Sequence, residues 1–478
     1  MTTLLSVARF ELREELRRIS TWVYFGIFFV LSFAFMMAMA GAWPDFDLGS
    51  RVLLANSPVS LANLTRALAM LSIPISSALA GRAVHRDFET RIHPLFFTTP
   101  ISKGAYLGGR YLAAVAANLL VLLGIPLGLM AATVMPMVDG DRIGAFRLGG
   151  YVMPFVLVVI PNVLMTAALF LVLAALTRRV LANQVGGLVL LLGWSLSRLF
   201  ADAIDADWVT WLSDPFGGAP LSHATRYWTV AEQNSLPMPV DMPLLVNRGL
   251  WLAFGLAVLA YGIHRFRFAQ FARENEGTRI QTAAGAQAPS LATRLRMPEP
   301  RRSWGARARL AQLSAMTRDG TRRILRGAWF WILVGLCIVF VLMSATEIGS
   351  FYGTRTFPVT YQVLEVLSGV WTLFGIIIIT IYAGELVWEE RENGSAQIHD
   401  SLPMPSWIPF ASKTLALTAM MAVLLAVGMI TGMLIQAARG YFEFEPWLYV
   451  RELFGVTLPG LVLVIVLAMT VQSLVNHK

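Results

Sequence analysis

Two blocks of charge, each set between long apolar runs, hold the residues of this sequence best suited to specific chemistry. The second block runs from Ala383 to Lys413 and holds Gly384, Glu385, then Trp388-Glu389-Glu390-Arg391-Glu392-Asn393-Gly394-Ser395, and later Pro403-Met404-Pro405-Ser406. The first runs from Ala80-Gly81 through Arg86-Asp87-Phe88-Glu89 to Pro100-Ile101-Ser102 and Arg110, and aligns with the second without a gap at a spacing of about 303 residues. Ala80 falls on Ala383, Gly81 on Gly384, Glu89 on Glu392, Pro100 on Pro403 and Arg110 on Lys413. Such a density of charge must lie in water. What these residues can do there is dock: acids and bases set the orientation and register of a partner, while Phe88, Phe96, Phe97, Trp388 and Trp407 supply apolar contact. Topology alone would favour cations on an inner loop, yet Glu385, Glu389, Glu390, Glu392 and Asp400 make the second block acidic. That excess favours a specific use over a plain polar loop.

Other chemistries have little to stand on. None of the lysines, Lys103, Lys413 and Lys478, follows a glycine, so a Gly-x-x-x-x-Gly-Lys phosphate loop is excluded and ATP is not bound here by that device. The histidines, His85, His93, His223, His264, His399 and His477, include no His-Glu-x-x-His pair. No metal-ligand spacing and no nucleophile with a plausible base stands out, so the sequence supports neither an enzyme nor a cofactor of its own. The arginine-rich middle of the chain lacks the aromatic platform of a nucleic-acid binder; anionic headgroups and topology explain it better.

The elements that must position the charged blocks are membrane helices. Of 478 residues 56% are hydrophobic and only 14% charged, and apolar runs of about 20 residues select helices as the spanning structure. Residues 4–19 place Leu5, Ala8, Leu12, Leu16 and Ile19 at helical spacing, which predicts an amphipathic helix on the membrane surface. Spans are expected at about 21–41, 61–81, 105–135, 150–176, 181–200 and 248–264, then from Trp329, which answers Trp22, and at about 362–386, 407–437 and 453–474. That makes about ten spans in an all-α polytopic protein of two related halves. The first half is expected over 1–275, a cytoplasmic Arg/Ala/Pro-rich linker over 276–305 and the second half over 306–478.

Arg82, Arg86, Arg91, Lys103 and Arg110 fix the first block and the N-terminus on the cytoplasmic side. The charged first 20 residues and the long first apolar run do not read as a cleavable signal peptide. The acidic, Trp-rich stretch 201–247 belongs on the opposite face, packed as a lid over the bundle or touching a substrate or partner. Asn118, Asn162 and Gln436 are expected to bond between helices, and Pro126, Pro154 and Pro161 to kink them. Cys337, the single cysteine, is expected to be a buried free thiol.

The second block resembles the Glu-Arg-Glu-x-Gly-Ser/Thr signature, with its later Pro-x-Ser, of ABC type-2 exporter permeases; Arg86-Asp87-Phe88-Glu89 with Thr99-Pro100-Ile101-Ser102 is a looser version. The tandem plan and Phe96-Phe97-Thr98-Thr99-Pro100 resemble more narrowly the large bacterial permeases whose two six-span halves precede a zinc aminopeptidase-like domain. The resemblance covers nearly the whole chain. It implies a multi-pass protein of the bacterial inner membrane that couples separate ATPase subunits, two copies with their ATP and Mg, to export. By position it assigns the coupling role to Arg86, Asp87 and Glu89 in the first block and to Glu389, Glu390, Arg391, Glu392 and Gly394 in the second. The internal repeat predicts two more spans, and the resemblance implies a C-terminal peptidase domain, in a longer protein.

Two other classes stay open. An ion-driven secondary transporter also has related halves, but needs ionisable residues deep within spans; Arg66, Arg198 and Glu365 come nearest and sit toward span ends. A non-transporting membrane scaffold would use the same surfaces to dock proteins. The cargo is not legible, because apolar spans face lipid whatever they carry.

Overall fold

A computed structural model of the chain describes residues 2–43, 48, 52–89, 101–177, 180–204, 207–266, 305–344, 350–351, 354–355, 357–392, 401 and 404–474. The side chains at 2, 83–89, 180–181, 196, 198–204, 343, 350–351, 354–355, 373 and 389–392 lie outside that description. The chain divides into two compact units, Met1–Ser290 and Leu291–Lys478. Among the described residues the regular structure is helical apart from a hairpin of two two-residue strands, Ser350–Phe351 against Thr354–Arg355.

Unit 1 begins with α1 (Thr2–Leu16) and α2 (Ile19–Met39). The joint between them is bolted by Trp22, whose indole N–H donates to the Leu16 carbonyl at 2.9 Å, and by Thr21, whose hydroxyl donates to the Glu15 carbonyl at 2.8 Å. Next come α3 (Pro58–Leu71) and α4 (Ile73–Glu89), bent by 47° at their junction. Ser57 caps α3, accepting from the Ser60 N–H, with Pro58 at the first helical position. Pro74 accounts for the bend, because it has no N–H for the preceding turn and its ring crowds that carbonyl.

Helix α5 (Lys103–Leu122) continues into α6 (Gly124–Thr133). Then α7 (Leu148–Pro154) passes through a π-helical segment, Phe155–Val159, into α8 (Ile160–Thr177), so that Pro154 and Pro161 flank the π turn as the expected kink. Helix α6 lies backbone-close on α2: a Cβ at Gly124 would stand 2.6 Å from the Phe25 carbonyl oxygen, and one at Gly128 would collide with the Phe29 carbonyl and the Ser32 hydroxyl. This is the small-x-x-x-small packing used where apolar burial does not drive association. Helix α9 (Val180–Ile204) fills the place of the expected fifth span. Three short helices, α10 (Asp207–Ser213), α11 (Gly218–Ala224) and α12 (Val230–Ser235), make up the acidic aromatic stretch, and α13 (Met242–Arg265) closes the unit.

Unit 2 opens with α14 (Ala306–Arg326), which turns by 63° into α15 (Ala328–Ser344) at Gly327. Trp331, not Trp329, makes the joint, donating to the Leu325 carbonyl at 2.7 Å. Helix α16 (Thr360–Glu392) and helix α17 (Trp407–Ala438) are long and continuous; α18 (Pro446–Val450) leads through a second π-helical segment, Arg451–Thr457, into α19 (Leu458–Leu474). Pro459 stands two residues after this π segment, as Pro161 stands two after the first. In α17 a Cβ at Gly428 would lie 2.7 Å from the Trp371 ring, and one at Gly432 would lie 2.8 Å from Leu367. Cys337 is buried and free, as its apolar setting implies.

Among the described residues, seven helices are long and apolar enough to cross a membrane, or up to nine if each bent pair counts as one span. With interiors built from Phe28, Met36, Leu68, Leu129 and Leu171 in unit 1 and Trp371, Met420, Leu424 and Ile465 in unit 2, the chain is a polytopic helical membrane protein.

Candidate functional site

Helix α1 is held on unit 1 by glycine and charge together. The sequence Gly108-Gly109-Arg110 lets the backbones of α1 and α5 touch: a Cβ at Gly109 would stand 2.8 Å from the Leu4 carbonyl oxygen. That approach brings Glu11 to Arg110 at 3.1 Å, with the two side chains only 4% and 1% exposed. Burial this deep makes the pair costly to break, since removing one partner strands the other charge. The Arg110 guanidinium also lies 4.3 Å above the Tyr106 ring, which stacks on Phe266 at the end of α13. One turn along α1, Glu15 meets Arg82 at 3.7 Å, and Arg82 donates to the Ser20 hydroxyl at 3.1 Å.

Arg82 and Arg110 bracket the first charged block. The N-terminal helix is thus clamped to the helix that enters the block and to the helix that leaves it. Arg86, Asp87 and Glu89 occupy the last turn of α4, and Glu389, Glu390, Arg391 and Glu392 the last turn of α16; their side chains, and Gly394 altogether, lie outside the described residues. In both blocks the helix runs on to carry the acids. Carboxylates in a C-terminal turn oppose the helix dipole, at about 0.3–1 kcal/mol each, so local helix stability is not what they serve.

Around the second block one expectation is corrected. Trp388 does not stand free for a partner: it is buried, and its indole N–H donates to the Gln472 side-chain carbonyl of α19 at 3.1 Å. Trp407 is 48% exposed. Asn118 is corrected too, donating to the Ala114 carbonyl of its own helix rather than to a neighbour. Asn162 and Gln436 do bond between elements. Asn162 accepts from Arg248 at 2.8 Å, and Gln436 donates to the Pro358 carbonyl at 3.1 Å and accepts from Tyr449 at 2.9 Å.

Arg248 is the buried ionisable residue that sequence reading passed over. It sits inside α13 and donates to Asn162, to the Asn247 side chain and to the Pro215 carbonyl. Asp214 in turn accepts from the Phe216 and Ala219 N–H groups at 2.9 and 2.7 Å, and Asn247 donates to the Trp211 and Asp214 carbonyls. At Gly217, whose φ of +75° suits glycine, a Cβ would press on the Arg248 guanidinium at 2.8 Å. This knot pins the aromatic stretch to the bundle. Its donors are spent on backbone carbonyls and amides, which makes it an anchor rather than an ion site. The signal was available: Asp241 caps α13 and Pro243 lies in its first turn, so the helix starts two turns before Arg248.

Among the described residues no group of three or more His, Cys, Asp or Glu side chains is placed to hold a metal ion. No protein-family model matches the sequence, and no curated protein is significantly similar to it.

Proposed function

We propose that this chain is the permease of an ATP-driven ABC exporter, built from two related type-2 halves in a bacterial inner membrane, with its N-terminus and both charged blocks in the cytoplasm. The observation that carries the reading is the clamp: Glu11–Arg110 and Glu15–Arg82 tie a surface helix to both helices that flank the first block. A load applied to α1 and the block by an external subunit passes directly into α4 and α5. Two such subunits, binding ATP and Mg themselves, would close against the two blocks and move the halves about the cargo path. Asp87, Glu89, Glu390 and Glu392 present the charge that sets their register, with Arg86, Glu389, Arg391 and Gly394 completing the surface.

Kinship of the halves is supported by parallel joints. Trp22 and Trp331 each donate to a carbonyl six residues back at the same bend, and π-helical segments precede Pro161 and Pro459 by the same interval. A secondary transporter gains nothing from Arg248, because that side chain is consumed in anchoring a loop.

The test is functional reconstitution. Vesicles holding the full chain and its co-purified ATPase should show cargo-stimulated hydrolysis, and reversing Glu390 and Glu392 to Lys should abolish it while membrane insertion persists. Co-purification of no nucleotide-hydrolysing subunit would remove the exporter reading in favour of a scaffold. Uptake driven by an ion gradient alone would favour a secondary transporter.

A further inference from the structure

The arginines of α14 are arranged differently from the charges of α1. Six arginines stand against one acid, Asp319, and that acid is taken by Arg323 at 2.8 Å. In α1, Arg9 and Arg13 are outnumbered by Glu11, Glu14 and Glu15. Arg318, Arg322 and Arg326 recur every four residues, so they stack along one side of α14. All three are exposed and, among the described residues, have no ion-pair or hydrogen-bond partner. With Thr321 and Leu325 they line a notch of about 540 Å³. The opposite side is occupied in packing, since Ile324 is buried and a Cβ at Gly320 would meet Ala416 at 3.2 Å.

The place of this ladder along the chain fixes what it meets. Arg326 is the last residue of α14, directly before the 63° turn into the apolar α15, and half-exposed Trp331 marks the first turn beyond. Tryptophan at such a joint is favoured at the depth of lipid headgroups. We propose that Arg318, Arg322 and Arg326 form a binding site for the headgroup phosphate of an anionic phospholipid, with Leu325 lying against the start of its acyl chains; the Thr321 hydroxyl, which lines the same notch, donates to the Thr317 carbonyl at 2.8 Å and leaves the phosphate to the arginines. Guanidinium groups suit phosphate because their planar donors engage two oxygens at once. The inference rests on the membrane character of the chain and not on the exporter reading.

The test uses the full chain in a neutral detergent, titrated with phosphatidylglycerol, phosphatidylcholine or inorganic phosphate, with bound lipid counted by native mass spectrometry. The expected result is phosphatidylglycerol binding at least about tenfold tighter than phosphatidylcholine. Joint replacement R318Q/R322Q/R326Q should remove that preference, whereas R307Q/R309Q should keep it. The charge-conserving R318K/R322K/R326K should retain most of the preference, which guards against reading misfolding as lost binding. Inorganic phosphate at millimolar concentration should fail to displace the lipid; full displacement would mean a site for free phosphate and would overturn the lipid assignment. Equal affinity for the two lipids, or a preference unchanged in the triple Gln variant, would overturn it as well. So would a triple Gln variant that keeps its lipid preference but loses a co-purifying protein, since the ladder would then be a protein-docking face.

Discussion

The two units follow a similar order of elements but are jointed differently. In unit 1 the second apolar segment is broken by 47° before Pro74, whereas in unit 2 the corresponding residue is Ile377 and α16 runs unbroken for 33 residues. In unit 1 the surface helix is tied down by the buried Glu11–Arg110 pair, with Glu15 and the partly exposed Arg82 at 3.7 Å beside it; in unit 2 α14 rests on α17 through Gly320 and Ala416. The glycine stripe of α6 faces α2, while that of α17 faces Trp371 and Leu367 of α16. A similar order of elements therefore goes with different fastenings. Unit 1 holds its surface helix by charge around a bent segment, and unit 2 leaves its surface helix cationic beside a straight one.

The sharpest break of that contrast comes from Arg110→Ala, which strands Glu11 in the interior and should cost about 3–5 kcal/mol, read as lost unfolding free energy of the purified protein. Lys413→Ala, at the matching and only half-buried position, should cost about 1 kcal/mol or less. Equal losses would mean the two surface helices are fastened alike.

The glycine stripes give the next effect. Gly128→Val drives a side chain into the backbone of α2 and should cost about 3 kcal/mol, while Gly428→Val meets the side chain of Trp371 rather than backbone and should cost less, about 2 kcal/mol, by the same measurement. Reversal of that order would contradict the packing described for the two stripes.

Pro74→Ala restores the missing donor and should straighten α3 and α4 into one helix. Spin labels near the two ends of the pair should move apart by about 3 Å, given the rise per residue and the present bend. Replacing Ile377 by Pro should produce the opposite change in α16.

The smallest effect concerns the short helix α12, which has no counterpart among the described residues of unit 2. The Glu232 carboxyl is held below its usual range, first by the Thr229 N–H and then by the Thr229 hydroxyl. A depressed carboxyl contributes stability that is fully present above its unfolded-state value and lost as pH falls through the lower folded one. The hydrogen-exchange protection of α12, taken relative to the intrinsic rate at each pH, should therefore be flat from pH 8 to 5 and fall only in acid, and Glu232→Gln should remove most of that acid response.

Much of this architecture was legible in the sequence. Apolar runs located the long helices, Leu5 to Ile19 drew the surface helix, and Pro154 and Pro161 marked a deformed turn. What escaped depends on contacts between distant residues. Glu11 and Arg110 are 99 positions apart, so no local pattern pairs them, and Arg110 read as a topological charge. Trp388 looked like a docking aromatic because nothing local reveals that Gln472 lies over it. Arg248 was placed at a helix edge because the cap at Asp241 went unused. The coupling role proposed for Arg86, Asp87, Glu89 and the residues from Glu389 to Gly394 came from the family resemblance, and their side chains lie outside the described residues.

The most direct test of coupling from the cytoplasm is sidedness. Single cysteines at Thr98 and Ser395, introduced with Cys337 changed to Ala, should react with a membrane-impermeant maleimide in inside-out vesicles and stay unlabelled in intact cells. Labelling of either position in intact cells would put a charged block on the far side of the membrane, beyond the reach of an ATPase.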